Sequence, residues 1–512
     1  MRNRFAFIIL MLGLTALAFG AGSITYTYDE DGELIGVDYG DGTEIHYSYD
    51  AGGNLLSREV IVEETRLYFP FYQASASTFL GIAVSNYSDA AVPLDFTAYN
   101  RSGQLAGYGQ NPSSERLAAG QQSARLASEI FQTGAEAQDA WVELSSNSTR
   151  LSSFFQFGNG SLTELDGSIA LSRHNREFFF SRVYQGDDAL RDQRAQTYLS
   201  LANPTSEPVT VVLKLFTTES SEGGASVRSA ATTERTIPAK GFVYENISQL
   251  FGASVVTEGY VRARVSSGFG LAAFELIELP DRTTIIGLNA SDGNLAPELY
   301  SAQLADGSGI YTSLKLINIS DQPRRFQATA VGDDGEELAR TEMISLGVGE
   351  YLERDVGLLF GFPTASDLTV GSLKIETDGP GIIGDVVFGD PIGFKYAASL
   401  PLQTKKLTRA IFSQVASTEN FFTGLAFYNP DTEQADVRVR VYNSEGGLEG
   451  DETKTLPAGN RISGLVPELV PSAAGVVGGY IVVEATRPLI AQQIFGEAAL
   501  NQFSAVPPKI DR

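Results

Sequence analysis

The chain of 512 residues has no cysteine, two histidines and one tryptophan. The first absence excludes disulfides, thiolate nucleophiles and cysteine-ligated metals. The scarcity of histidine removes most metal and nucleophile chemistry. His46 and His174 form no His-x-x-x-His or Glu-x-x-His pair, which zinc sites on helices need. A Ser-His-Asp triad would have to recruit one of these two, and no Gly-x-Ser-x-Gly elbow or Walker A loop is present. Positive charge is scarce too: 37 Lys and Arg stand against 62 Asp and Glu, a net charge of −25. A phosphate backbone would repel such a surface, so no nucleic-acid partner is expected. Charge of this sign fits solubility outside the cell.

Long apolar runs are confined to the N-terminus. Arg2 and Arg4 precede the run Phe5–Phe19, and Ala18-Phe19-Gly20 supplies small residues for cleavage. Residues 1–21 therefore read as a secretory signal. Without a cysteine after it, no lipid anchor can form, and no later stretch approaches the 18 apolar residues of a membrane helix.

What is abundant is strand and turn chemistry, with 52 Gly, 21 Tyr and 30 Phe. One pattern occurs four times: an apolar strand runs into an asparagine turn and an alternating strand leaves it. The turn residues are Asn86, Asn203, Asn318 and Asn429. A turn of small residues follows near Gly120, Gly241, Gly349 and Gly459. Next come amphipathic segments of about one helical turn, 126–131, 247–251, 356–360 and 465–469. A strand pair then carries Trp141, Tyr260, Leu373 and Tyr480 at equivalent positions. Seven or eight short strands in roughly 110 residues predict an antiparallel β-sandwich.

The expected fold is thus all-β, with four tandem Ig-like sandwiches at 64–173, 176–292, 297–402 and 408–509. Short connections such as 172–177 and 403–408 suggest an extended or gently curved rod.

Residues 22–62 differ from the rest. Tyr28-Asp29 returns as Tyr49-Asp50, each pair followed by a glycine turn and a strand beginning at leucine. Alternation predicts hairpins with tyrosine facing in. The stretch resembles the YD repeat of RHS-type bacterial surface and toxin proteins, roughly Tyr-x-Tyr-Asp-x-x-Gly-x-Leu. In that family long arrays wind into a shell around a toxin, and two copies cannot enclose anything. The resemblance implies an exported bacterial setting.

Several motifs read as structural. Gly268-Phe-Gly-Leu-Ala-Ala273 matches a loose dinucleotide fingerprint but falls where the sister copies carry a late strand, without a βαβ unit. Asp29–Gly32 lacks the spaced ligands of a calcium loop. Asp333–Glu337 reads as a solvated hairpin tip. The recurring Trp141, Tyr260 and Tyr480 read as core rather than as a sugar platform. Asn86-Tyr-Ser and Asn318-Ile-Ser have the form of glycosylation acceptors, but asparagine also tolerates left-handed geometry and caps its own turn.

No catalytic, cofactor-binding or metal-binding residue is named, and no cofactor is expected. The function expected is that of a non-catalytic exported structural or adhesive repeat protein, a stalk with loop-tip surfaces for a carbohydrate or protein partner, at the cell surface or in the periplasm. The alternatives are a carbohydrate-binding protein or carbohydrate-active enzyme component, whose mark would be a cleft with converging carboxylates in one copy alone, and a part of an RHS-like surface assembly.

Overall fold

A computed structural model describes residues 25–29, 32–38, 43–50, 52–62, 64–72, 78–133, 139–161, 163–188, 193–221, 224–253, 255–279, 284–293, 295–362, 367–390, 396–500 and 502–510. The signal segment 1–21 lies outside them. The chain divides into two compact units, 1–63 and 64–512.

The N-terminal unit is a four-stranded antiparallel meander: Thr25–Tyr28, Leu34–Asp38, Thr43–Tyr49 and Leu55–Val62. Its Tyr-Asp aspartates close their own turns. Asp29 Oδ1 accepts from Glu33 N at 2.9 Å, and Asp50 Oδ1 accepts from Gly52 N and Asn54 N at 2.8 and 2.9 Å. The inward-tyrosine expectation fails at Tyr26 and Tyr28, which are more than half exposed. Among the described residues the sheet offers little interior to receive them, with Val37 and Ile45 the ones buried.

In the second unit the first copy is a plain sandwich. One sheet orders Thr65–Tyr72, Ala140–Ser146, Val92–Tyr99 and Ser113–Leu117. The other orders Leu165–Ile169, Leu151–Asn159, Thr78–Asn86 and Gln122–Leu126. The third copy repeats this order. In the second and fourth copies the two sheets are continuous, through the long strands Glu177–Asp188 and Tyr480–Glu497. The alternation Val92–Tyr99, buried at every other residue, is what a strand with one face on a core requires. The predicted short helices are present as Ala127–Phe131, Ile247–Phe251, Val356–Phe360 and Val466–Leu469.

The asparagine turns are closed by side chains, not by left-handed backbone. None of the four asparagines has positive φ. Asn318 Nδ2 donates to Gln322 O, Leu346 O and Gly347 O at 2.8, 3.0 and 3.0 Å, and its Oδ1 accepts from Ser320 N and Oγ. Asn86, Asn203 and Asn429 bind three carbonyls in the same way. The left-handed residue lies in the following turn: Gly120, Gly349, Gly459 and, in the second copy, Lys240 rather than Gly241.

The rod expectation is overturned, because the fourth copy packs on the first. Gln122 in the first copy donates to Ser413 O and Gly479 O in the fourth. The closing strands Leu165–Ile169, Thr284–Asn289, Ala397–Pro401 and Phe503–Val506 touch in a cycle, each meeting the next and the last meeting the first. Short linkers keep neighbours in contact, and a head-to-tail contact whose rotation closes gives a ring. Residues 64–512 are such a ring.

Candidate functional site

All four junctions of the ring are built at the same positions. Trp141 Nε1 donates to Lys240 O at 2.7 Å, Tyr260 Oη to Gly349 O at 2.9 Å, and Tyr480 Oη to Gly120 O at 2.9 Å. Each reaches the left-handed turn residue of the following copy. The three rings are buried as expected, but their core is the junction. In the third copy the strand register places Ser372 at this position, which corrects the expected Leu373, and the Ser372 hydroxyl donates within its own copy, to Val331 O.

The residue that begins the strand after each turn reaches back into the preceding copy. These residues are Gln122, Phe242, Tyr351 and Arg461. Phe242 clusters with Tyr68 and Trp141. Tyr351 Oη donates to Glu258 O at 3.0 Å. Arg461 donates to Ala302 O, to Gln303 and to Asp333 Oδ1. Asp333 thus also takes part in a junction, while the hairpin tip is solvated as expected, with Asp333, Asp334, Glu336 and Glu337 exposed. Tips pack this way elsewhere too. A Cβ on Gly103, Gly335 or Gly446 would strike the facing turn of the next copy at Ala239 O, Asn460 or Gly120 O, and all three have positive φ.

A third position separates one junction from the rest. Between the first and second copies Phe71 meets Tyr244 and Phe274, with centroids 4.7 and 6.4 Å away. Between the fourth and first, Phe154 enters the core of the fourth copy. Between the third and fourth, the corresponding residues are Gln303 and Gln492, and Gln492 Oε1 accepts from Ser301 Oγ at 3.1 Å. Between the second and third, the corresponding residues are Arg182 and Asp385.

Arg182, on the strand Glu177–Asp188, is buried with charges on every side. Its Nε donates to Asp385 Oδ1. Nη1 donates to Glu353 Oε1 and Ser313 Oγ at 3.3 and 3.2 Å, and Nη2 to Ser313 O at 3.0 Å. Lys315 Nζ binds Glu353 Oε2 and Gly259 O, both at 2.8 Å, and lies 4.6 Å from the centre of the Tyr351 ring. Tyr184 Oη donates to Glu353 as well. Beneath them Glu275 Oε1 accepts from Ser181 Oγ and Arg182 N at 3.2 and 3.3 Å. Burial, aided by Asp385, pushes the Glu275 carboxyl up to about 8. Burial works against the Arg182 charge, but Asp385, Tyr184 and Glu353 outweigh it and hold its pKa well above the ordinary value. Ion pairs thus join Arg182 and Lys315 to Glu353 and Asp385, while burial favours the protonated form of Glu275.

A cleft of about 360 Å³ opens beside this cluster, with Arg182, Tyr184, Gln185, Ser313 and Glu353 on its polar side. The rest of the lining is mainly aliphatic, from Ala195, Val256, Ile277, Leu279, Ile286 and Val387, joined by Tyr311, Arg354 and Asp355. None of these residues stood out in the sequence. The available signal was alignment of the copies, where Arg182 stands against Phe71, Gln303 and Gln414.

The remaining motifs stay structural. Gly268–Leu271 joins the strands Val256–Ser267 and Ala272–Leu279, with no helix after it. His46 lies on an N-terminal strand, and burial lowers the pKa of His174 in the second unit. Among the described residues no group of three or more His, Asp or Glu is placed to hold a metal. No helix among them is long and apolar enough to cross a membrane.

The family model of the RHS Repeat matches residues 28–60, the stretch that carries both Tyr-Asp pairs, so this segment is an RHS repeat segment. RHS repeats typically occur in extracellular or surface proteins. No curated protein matches the chain. The solved structure of Thermotoga maritima 1070 is 15% identical, covering 23% of this chain and 94% of its own, at a TM-score of 0.17. A structure of PNGF-II is 8% identical, covering 80% and 98%, at 0.14. A glycoside hydrolase family 32 structure from Bifidobacterium adolescentis is 6% identical, covering 84% and 99%, also at 0.14. At such TM-scores none of the three carries an argument.

Proposed function

We propose that the chain is an exported, non-catalytic surface protein. Its ring of four sandwiches serves as a rigid structural or adhesive body with one ligand cleft, between the second and third copies. One observation carries this reading: a single junction scheme is used four times, and at the second–third junction it sets a buried cluster of Arg182, Lys315, Glu353 and Asp385 beside a cleft. A ring whose hairpin tips are partly engaged at its own junctions offers fewer loop-tip surfaces than a stalk would, so the ligand site moves to that junction. The RHS segment supports the surface setting and leaves room for a larger RHS-like assembly.

The cleft also gives the carbohydrate reading its one favourable feature, a site that the sister copies lack. Two facts weigh against it. Glu353 and Asp385 are held by Arg182 and Lys315 instead of facing each other across open space, and glycoside hydrolysis needs two available carboxyl groups. The wall is mainly aliphatic, with Tyr184 and Tyr311 its aromatic members, where sugars favour aromatic faces.

The test joins surface protease accessibility in the producing cell with a turnover screen of the purified full-length protein on polysaccharides and peptides. Surface exposure without turnover is expected. Retention inside the cell, or steady product release, overturns the reading.

A further inference from the structure

We propose that the cleft between the second and third copies binds a small uncharged aliphatic molecule carrying a hydroxyl or amide N–H, with that donor on Gln185 Oε1. The inference rests on the ligand-cleft reading above and adds the chemistry of the ligand.

Size and wall come first. About 360 Å³ is at the small end of ligand pockets. A dry cavity of about 150 Å³ takes benzene, so this one has room for about a dozen non-hydrogen atoms. The aliphatic wall reaches the outside at Leu358, which lines the cleft and is 75% exposed. An aliphatic body would cover this lip as well as the interior, and its burial would supply most of the affinity.

Charge decides the head group. The ionic cluster on the polar side sums to zero, two cations against two anions. Its donors are engaged by one another, by Ser313 and by the Gly259 carbonyl. Arg354 and Asp355 also line the cleft, but Arg354 is exposed to water and Asp355 accepts from Gly357 N and Leu358 N, so a carboxylate or ammonium entering the cleft would lose its hydration and meet no buried, unengaged counter-charge. An uncharged head loses less.

Gln185 decides the hydrogen bond. Its side chain lines the cleft, the residue is 8% exposed, and Oε1 is buried without a partner. No other buried polar side-chain atom of the lining is left in that state among the described residues. A buried amide oxygen without a donor is costly, and a ligand hydroxyl or amide N–H at this point removes the cost.

The full-length protein is titrated by calorimetry with three probes of one length: decanol, decyl methyl ether and decanoate. Decanol should bind once per chain, about fivefold tighter than the ether for the one hydrogen bond, and decanoate should be weakest. Gln185→Met should bring alcohol and ether to equal affinity. Ala195→Phe, which fills the cleft, should abolish binding of all three, and Val256→Phe replaces it if its melting shows misfolding. Decanoate binding as tightly as decanol, or an alcohol preference that survives Gln185→Met, overturns the ligand class and leaves the cleft reading standing. Failure of all three probes with the parent protein, or binding indifferent to the filling variants, overturns the ligand cleft itself.

Discussion

Tyr480 in the fourth copy donates its hydroxyl to the carbonyl of Gly120 in the first, 2.9 Å away across 360 positions of sequence. Tyr260 makes the same bond to Gly349 and Trp141 to Lys240. The contact that joins the last copy to the first is therefore the contact that joins consecutive copies.

Closure can be tested because the chain has no cysteine. Half-buried Gln121 and exposed Glu445 meet across the closing junction, with Nε2 to Oε2 at 3.3 Å. With Gln121→Cys and Glu445→Cys, a short bis-maleimide should join the two positions within one chain, identified by peptide mass spectrometry of the monomer. A rod would give cross-links only between chains, or none.

The charged junction predicts asymmetric mutational costs. Arg182→Met leaves Asp385 buried beside an apolar side chain and takes one partner from Glu353. Loss of one partner from a buried pair costs about 3–5 kcal/mol. The double variant Arg182→Met, Asp385→Leu resembles the apolar first junction, where Phe71 meets Phe274, and should recover a large part of that loss. Urea unfolding of the parent, both singles and the double checks this. A double variant as unstable as the sum of the singles would refute it.

Much of the fold was legible in the sequence, for physical reasons. Alternation in segments such as Val92–Tyr99 and the repeated asparagine turn are local signals, and the strands and short helices follow from them. Closure was not legible, because it depends on the rotation between neighbouring copies, which periodicity does not encode. The turn alignment slipped at Gly241 because Lys240, a residue that seldom takes positive φ, holds the left-handed position there. Arg182, Lys315 and Asp385 looked like ordinary strand charges. They became a site only when the ring buried them against one another.

The asparagine turns should be among the least replaceable positions. Asn318 is fully buried, and its amide binds three carbonyls. Asn318→Ala strands them, at about 3 kcal/mol in all. Asn318→Asp should be no better at pH 7, because a carboxylate accepts hydrogen bonds but cannot donate to carbonyls. Equilibrium unfolding measures both. An aspartate variant as stable as the parent would show that turn geometry, and not the amide donor, holds the segment.

The meeting of the closing strands predicts the pH dependence. Asp166 is buried there, with Gly167 N donating to Oδ1 at 2.8 Å and Gly287 N donating to Oδ2 at 2.7 Å across to the second copy. Burial outweighs these bonds and pushes the carboxyl up to about 8, against roughly 3.9 in an unfolded chain. Between about pH 4 and pH 8 the unfolded chain has released this proton while the folded chain still holds it. Stability should therefore fall as pH rises through that window and level off above it. Glu275, raised to about 8 mainly by burial, contributes with the same sign. Asp166→Asn is neutral at every pH and removes the contribution of that carboxyl. Its stability relative to the parent should rise by on the order of 2–5 kcal/mol from pH 4 to pH 8. Denaturant titrations of both proteins across this range supply the measurement. Parallel stability curves would mean that Asp166 titrates alike in both states and that its burial does not govern its proton.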